Sequence, residues 1–571
     1  MKSKTACFLF IISVVLGLGR ATAQPLSGNY TIDQSQPTAG TNFASFNDFA
    51  SRLSSDGVSG NVIAAVDPAN VYTEQVTFHT IPGAGPNATV TINGNVATIE
   101  AVTTSTDRHV IRLQDVSWMT INGLRVYYSA SSTGGFYGIH IYNSGSHLNI
   151  VNNTIVMAST STLHGGIVAS GSLTSILDPG NFDNILISNN SIESGGYGVS
   201  VYGDAVSLAT RIEISGNSIT DFADNGIYIR ETDSVHILGN LLEKNANIVS
   251  AANAIQIAQN ANRNAMIEGN TIRVNQQNNG SQTIRGIYLF NGTGHKVVNN
   301  AIDYVALTSG NFTGIEVRSS STAPEIYYNT IAIDDSATAT GNFIGISEEL
   351  SNTNTVLRNN LISITKPGTG IRAALKLGNT SAVTTSFNSD YNDFWVPSGN
   401  VAIKGTSAVV FYPALSDWQS ASIQDANSMS IDPQFSAVYD LHPANPALDN
   451  RGTPLAGITT DIDGNPRDAV NPDIGAYEYF VSEIREPGKM EMLRVYPNPS
   501  CGQFSIELPG NNSGKMAYLL VDAHGKVISA DEISIFREPF EMQFPGLKSG
   551  LYLLILNEGN DWYRARLNVI R

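Results

Sequence analysis

The chain has 571 residues, of which 14% are charged, with a formal net charge of −17, 51 glycines and two cysteines. That length exceeds one ordinary compact core. The acidic balance excludes a nucleic-acid or anionic-membrane surface, and two cysteines exclude a disulfide framework or a Cys-based metal site.

Residues 1–23 read as a targeting segment. "MKSK" is positive, "ACFLFIISVVLGLG" is the apolar run, and Ala21-Thr22-Ala23 is a cleavage site, so the mature chain is expected to begin after Ala23, at Gln24. No later run is long enough to span a bilayer as a helix. Cys7 lies in the leader, which leaves Cys501 alone in the mature chain.

Residues 24–89 are read as an N-terminal cap and the first turns of a solenoid. From 90 to 395 one pattern recurs. Asparagines precede an apolar residue at Asn153, Asn190, Asn217, Asn240, Asn270, Asn300, Asn329 and Asn360. A small residue followed by an apolar one recurs at Gly138, Gly166, Gly198, Gly226, Ala254, Gly286, Gly314, Gly345 and Ala374, spaced 28 to 32 residues apart. Repeats of this length mark stacked architectures. Within each unit the apolar residues alternate, as in "GIHIY", "GVSVY" and "GIYIR", which is strand period. Each unit therefore holds at least two short strands. Neither strand buries its side chains alone, so units must stack as coils, with parallel pairing between neighbours. The asparagine belongs at a turn, where it tolerates a left-handed backbone, and stacked amides can bond to one another. Asn217 is expected between Asn190 and Asn240.

These residues resemble the right-handed parallel β-helix proteins, which include pectate lyases, polygalacturonases and many adhesins. The fold class expected is all-β: a right-handed parallel β-helix solenoid followed by a small C-terminal β-sandwich. The opening segment, with Asn70-Val71-Tyr72-Thr73-Glu74, resembles that of secreted bacterial β-helix proteins, where it caps the core. Residues 396–480, with "IDPQF" and "DIDGNPRDAVNPDIGAYEY", resemble final coils and a C-terminal cap. Asp461, Asp463, Arg467 and Asp473 are types that could hold calcium. They also suit a cap in which Arg467 pairs with a carboxylate and Gly464 and Gly475 turn the chain. We read them as the cap, with no metal site, no evident cofactor and no support for Ca2+.

A linker at 481–490 precedes residues 491–571, where short alternating strands suggest a small Ig-like β-sandwich. Tyr496-Pro497-Asn498-Pro499, Gly502, Phe504, Asp522, Gly525, Gly550 and Tyr552 resemble the C-terminal sorting domain of the type IX secretion system of Bacteroidota. The resemblance implies a partner in that machinery and a location outside the cell or on its surface. Two Asp-Ser-apolar triplets, at Ser234 and Ser336, resemble short O-glycosylation sites.

The motif sets of β-helix enzymes are incomplete. Asp334-Asp335 and Gly294-His295-Lys296 are fragments of a polygalacturonase set, and Gln114-Asp115 is a fragment of a methylesterase set. The strand after the small residue offers another site. Its isoleucines point inward, so alternate residues point out. One outward column is His140, Val168, Ser200, Tyr228, Gln256, Tyr288, Glu316, Ser347 and Lys376. The next is Tyr142, Ser170, Tyr202, Arg230, Ala258, Phe290, Arg318, Glu349 and Gly378. Exposed aromatic rings beside hydrogen-bonding groups suit sugar rings. Ligand-binding candidates are His140, Tyr142, Tyr202, Tyr228, Gln256, Phe290 and Lys376. Catalytic candidates are Arg230, Tyr288, Glu316, Arg318 and Glu349. A lyase would use an arginine with Tyr288, and a hydrolase would use Glu316 with Glu349. The expected function is a secreted or surface protein that binds a polysaccharide or surface glycan without turnover. The alternatives are a polysaccharide lyase or glycoside hydrolase, and a structural stalk.

Overall fold

A computed structural model describes residues 24–128, 134–157, 161–258, 261–349, 352–378, 387–405, 409–479, 491–508, 514–522, 527–535, 539–558 and 561–570. The expected leader and Ala23, the linker and Gly525 lie outside the described residues. The chain divides into two units, Met1–Tyr479 and Phe480–Arg571.

The first unit is a parallel β-helix with three strands per coil, one more than the minimum the sequence required. The small residue and its isoleucine open the first strand, as in Tyr197–Tyr202 and Asn225–Arg230. The second strand follows, as in Ala209–Ser215. The third follows the asparagine, as in Ser218–Thr220, and its sheet has twelve strands, one per coil. Pairing between coils is parallel throughout, until Asn400–Lys404 meets Val410–Tyr412 in antiparallel fashion.

Inside, residues from successive coils stack in rows. One row, Ile139, Ile167, Val199, Ile227, Ile255, Ile287, Ile315 and Ile346, is set by the strand register and is at most 2% exposed. Each such side chain contributes about 1.5–3 kcal/mol on burial. The small residues have a steric reason. A Cβ on Gly226 would lie 2.6 Å from the carbonyl oxygen of Ala254 and 2.6 Å from Leu242 Cδ2, a side chain of the third sheet.

The asparagines form one continuous ladder. Each Nδ2 donates to Oδ1 of the next, from Asn153 through Asn190, Asn217, Asn240, Asn270, Asn300, Asn329 and Asn360 to Asn392, at 2.9–3.0 Å. Each backbone N–H donates to that same Oδ1 at 2.9–3.1 Å. The second Nδ2 hydrogen bonds to a carbonyl of the preceding coil, as in Asn217 to Ile187 at 2.9 Å. The left-handed conformation expected of these asparagines belongs instead to the residue before each: Asn152, Asn189, Gly216, Gly239, Gly269, Asn299, Tyr328 and Asn359. The turn is made one position earlier, which frees the ladder side chain to point inward.

Two helices cover the ends of the core. Helix α1 (Phe46–Asp56) buries Phe46, Phe49, Ala50 and Leu53. Glu74 accepts from the N–H groups of Phe46 (2.9 Å) and Asn47 (3.0 Å), and Tyr72 Oη donates to the Ile32 carbonyl at 2.7 Å. The Tyr-x-Glu element is thus the clamp that holds the cap. Helix α2 (Leu415–Ser422) places Trp418, fully buried, over the other end. After it the chain still stacks on the coil before, with the Asp425 and Met429 N–H groups donating to the Ser389 and Asn392 carbonyls, and the coils end there. Residues 432–479 run back along the turns of earlier coils: Tyr328 Oη donates to the Thr453 carbonyl, Asn299 Nδ2 to that of Thr460, and the Gly475 N–H to that of Asn359. Arg467 anchors this strap. It bonds Glu478 at 2.8 Å, Asn299 and the Gly475 carbonyl at 2.9 Å, and stacks 3.9 Å from the centre of the Tyr328 ring. Gly464 and Gly475 turn with positive φ. Asp461 and Asp473 accept backbone N–H groups, and Asp463 bonds His442 at 3.0 Å.

The second unit is a β-sandwich. A five-stranded sheet and a three-stranded sheet share a core that includes Phe504, Ile506, Met542, Leu520, Leu554 and Leu567. Within its motif, Asn498 Nδ2 donates to the Arg566 carbonyl (2.6 Å) and its Oδ1 accepts from the Asn568 N–H (2.7 Å), which ties the Tyr496–Pro499 turn to the last strand. Gly502 has a φ of 101° and a Cβ there would meet the Phe544 carbonyl oxygen at 2.9 Å. Tyr552 Oη donates to the Lys548 carbonyl beside Gly550. Cys501 is an exposed free thiol. Among the described residues, no helix is long and apolar enough to cross a membrane.

Candidate functional site

The register of the first sheet stacks the outward residues in columns. His140 pairs with Val168, Val168 with Ser200, Ser200 with Tyr228, Tyr228 with Gln256, Gln256 with Tyr288, Tyr288 with Glu316, Glu316 with Ser347, and Ser347 with Lys376. In the next column Tyr142 pairs with Ser170, Tyr202 with Arg230, Phe290 with Arg318, and the backbone of Arg318 with that of Glu349. The Glu349 side chain lies outside the described residues.

The rings are much less exposed than alternation alone suggests. Tyr202, Tyr228 and Tyr288 are 7–8% exposed and His140 is 1%. One cause is the segment after Ser170, whose Ile176 joins Tyr137, Val168, Tyr197, Tyr228 and Ala258 in a cluster outside the main core. Another is the neighbouring coil, about 4.8 Å away on either side. His140 bonds Ser170 Oγ at 3.1 Å, and burial pushes its imidazole down to about 3, so it is neutral in ordinary buffers. The expectation of His140 as a surface ligand is therefore corrected. Tyr142, Gln256, Phe290 and Lys376 are half-buried.

Arg230 lies 4.2 Å from the centre of the Tyr202 ring, and its side chain is 23% exposed. Glu316 is 5% exposed and is held by Arg285 Nε, with Arg318 at 3.9 Å. Tyr288 carries the Arg285 guanidinium 4.7 Å from its ring centre and packs 5.7 Å from Phe290. Burial raises the phenols of Tyr228 and Tyr288, so both stay protonated donors.

A third outward column, which the sequence reading did not single out, precedes the small residue: Tyr197, Asn225, Asn253 and Arg285. Tyr197 Oη donates to Asp224 at 2.5 Å, Asn225 bonds the other Asp224 oxygen at 3.1 Å, and Asn253 donates to Asn225 and to Gln256 at 3.0 Å. Arg285 Nη1 reaches Asn253 at 3.5 Å. A continuous polar chain therefore runs from Tyr197 through Asp224, Asn225, Asn253 and Arg285 to Glu316 and Arg318. Burial raises the Asp224 carboxyl. The arrangement offers hydroxyl, amide and guanidinium donors along the coil axis, beside rings.

Other sequence fragments lie elsewhere. His295 accepts from the Ala265 N–H at a corner, and Asp335 is held by the buried Lys366. Ser234 and Ser336 are exposed. Among the described residues, no three His, Cys, Asp or Glu side chains are grouped to hold a metal ion. Hollows of about 710 Å³ beside α1 and about 700 Å³ in the β-sandwich unit include no residue of this face.

Residues 137–331 match the family described as right handed beta helix region, and residues 494–569 match the secretion system C-terminal sorting domain. Solved structures similar to this chain include PfbA, a surface adhesin of Streptococcus pneumoniae. It is 13% identical, the match covers 64% of this chain and 90% of that one, and the TM-score is 0.32. Another is the DFA-IIIase of Arthrobacter chlorophenolicus A6, 11% identical over 71% of this chain and 92% of that one, TM-score 0.32. A third is the GH136 lacto-N-biosidase of Eubacterium ramulus, 8% identical over 61% and 68%, TM-score 0.33. No curated protein matches the chain significantly. The chain therefore carries a right-handed β-helix region and, at residues 494–569, a type IX secretion sorting domain, an address for export to the cell surface or the extracellular space.

Proposed function

We propose that the exported β-helix binds an acidic polysaccharide along its first sheet without turning it over. The observation that carries this reading is the state of Glu316. It lies between Arg285 and Arg318 and is 5% exposed, so it is neutralised and enclosed rather than poised to attack or to take a proton. Arg230, Arg318 and Lys376 supply positive charge on the same face, and Tyr288 with Phe290 supplies ring surface. Guanidinium groups pair with carboxylates in bidentate fashion, and protonated phenols bond sugar hydroxyls.

The test is binding of polygalacturonate and alginate to the mature chain, with Arg318→Ala and Tyr288→Ala alongside. Saturable binding that weakens about tenfold or more in Arg318→Ala is expected, because a charged hydrogen bond contributes about 1.5–3 kcal/mol. Appearance of unsaturated or reducing ends on prolonged incubation would replace this reading with the lyase or hydrolase one. Absence of binding to any acidic glycan would favour a structural stalk.

A further inference from the structure

A second site lies on another part of the β-helix. Between the first and second sheets the chain turns a corner, and one position of that corner has positive φ in coil after coil: Trp118, His147, Asn184, Arg211, Ser234, Asn264, Gly294, Ala323 and Asn354. The register aligns these positions, since Ser117 pairs with Ser146, Ser146 with Asp183, and Asp183 with Thr210. Asn and Gly take this conformation at little cost, whereas other residues pay roughly 1–2 kcal/mol. A bulky residue there is an outlier, and the first two positions of this series are a tryptophan and a histidine. Their rings stack, with centroids 3.8 Å apart and planes 15° from parallel.

Beside this stack is a hollow of about 300 Å³ lined by Thr89, Trp118, Thr120, His147, Asn149 and Asn184. Thr120 and Asn149 are neighbours on the second sheet, with Asn149 Nδ2 donating to Thr120 Oγ1 at 3.1 Å. Trp118 and His147 are half-buried, and Asn149 and Asn184 are exposed. The lining contains no carboxylate, lysine or arginine. It offers the Trp118–His147 ring stack beside two threonine hydroxyls and two amides. The volume is at the small end of ligand sites.

We propose that this hollow binds one or two rings of an uncharged saccharide. The ring stack receives the apolar face of the sugar, and Thr120, Asn149 and Asn184 bond its hydroxyls. The lining offers an acidic sugar no lysine or arginine, so this site selects differently from the arginine-bearing first sheet. The proposal does not rest on the function proposed above, since it uses other residues and another ligand class.

The experiment is a titration of the mature chain with cellotetraose, xylotetraose, mannotetraose and chitotetraose, read by tryptophan emission and by calorimetry. The chain has four tryptophans, so Trp118→Ala also assigns the signal. Binding of at least one probe is expected, with an emission shift that Trp118→Ala abolishes and an affinity that it lowers about tenfold or more, as for a truncated aromatic anchor. Asn149→Ala, at an exposed position, is expected to weaken the same probe about threefold to tenfold. The proposal is overturned if none of the four probes binds at millimolar concentration, or if affinity is unchanged in both variants. Polygalacturonate binding is measured in the same variants. If it fails in every variant while a neutral probe still binds through Trp118, the first-sheet reading falls and this one stands.

Discussion

Asn240 sits in the middle of the ladder, and truncating it to alanine tests what the ladder contributes. The change removes four hydrogen bonds: Nδ2 to the Ile214 carbonyl (2.8 Å) and to Asn270 Oδ1 (2.9 Å), and those from the Asn217 N–H and Nδ2 to Oδ1 (both 2.9 Å). Asn217 Nδ2 keeps its bond to the Ile187 carbonyl, but the Asn217 N–H loses its side-chain acceptor in a site that is 1% exposed. A buried group left unsatisfied costs about 1–3 kcal/mol, and each further bond lost about 1 kcal/mol. The local cost is therefore about 4–6 kcal/mol. Native-state hydrogen exchange over residues 209–220 reads it directly, because local opening free energy sets protection. Four kcal/mol corresponds to a loss of protection on the order of a thousandfold. Adding Asn217→Ala should cost less than the sum of the two single changes, since both remove the bond from Asn217 Nδ2 to Asn240 Oδ1. Protection reduced less than about threefold, or strict additivity in the pair, would refute the view that the ladder holds the coils together.

Three further outcomes are expected. Glu348 points inward between Val317 and Leu377 with Thr355 as its hydrogen-bond partner, and burial raises its carboxyl to about 7. The folded chain thus keeps a proton that the unfolded chain releases, and stability falls as pH rises from about 4.5 to 7. Glu348→Gln should be more stable than the parent by roughly 3 kcal/mol above pH 7, with the gap closing by pH 4.5; urea denaturation at several pH values reads it, and a gap independent of pH contradicts it. Arg467→Ala leaves Glu478 without its ion-pair partner in a buried site, a loss of about 3–5 kcal/mol; limited proteolysis should then cut within 432–479 first, and an unchanged cleavage pattern would show that the strap is held otherwise. Asp425→Leu strands the donors of Ser389, Asn392, Ser428 and Trp418, at a cost of several kcal/mol. Emission from Trp418 should shift to the red as α2 lifts, and an unshifted spectrum counts against the cap assignment.

The sequence carried the coils, the inward rows and two of the outward columns, because a parallel solenoid converts a linear period directly into register. His140 to Lys376 stack in the order the spacing gives. Counting failed at the glycine. Alternation assigns Tyr197, Asn225, Asn253 and Arg285 to the interior row, yet their side chains bond to outward groups such as Gln256 and Glu316. The small residue after each lets two coils approach closely, which resets the alternation there. Exposure was also illegible, since burial of Tyr228 depends on Ile176, some fifty residues away. The Trp118–His147 stack gave no signal because its corner is defined by φ, which is written as Asn or Gly at Asn184, Asn264, Gly294 and Asn354 but as Arg211, Ser234 and Ala323 in other coils.

The ladder runs one way. Every amide from Asn153 to Asn392 donates toward the C-terminal end, and the last donates to the carboxylate of Asp425 at 3.2 Å. Turning a single amide over would set oxygen against oxygen on one side and NH2 against NH2 on the other. The nine side chains must therefore choose a sense together. In each coil a backbone N–H that donates to Oδ1 and a carbonyl that accepts from Nδ2 fix the same sense, and Asp425 accepts the last bond of a row that spans roughly 40 Å of stacked coils. A new coil added to a growing β-helix meets an oriented amide rather than a neutral surface, and can seat its own asparagine in only one of two ways.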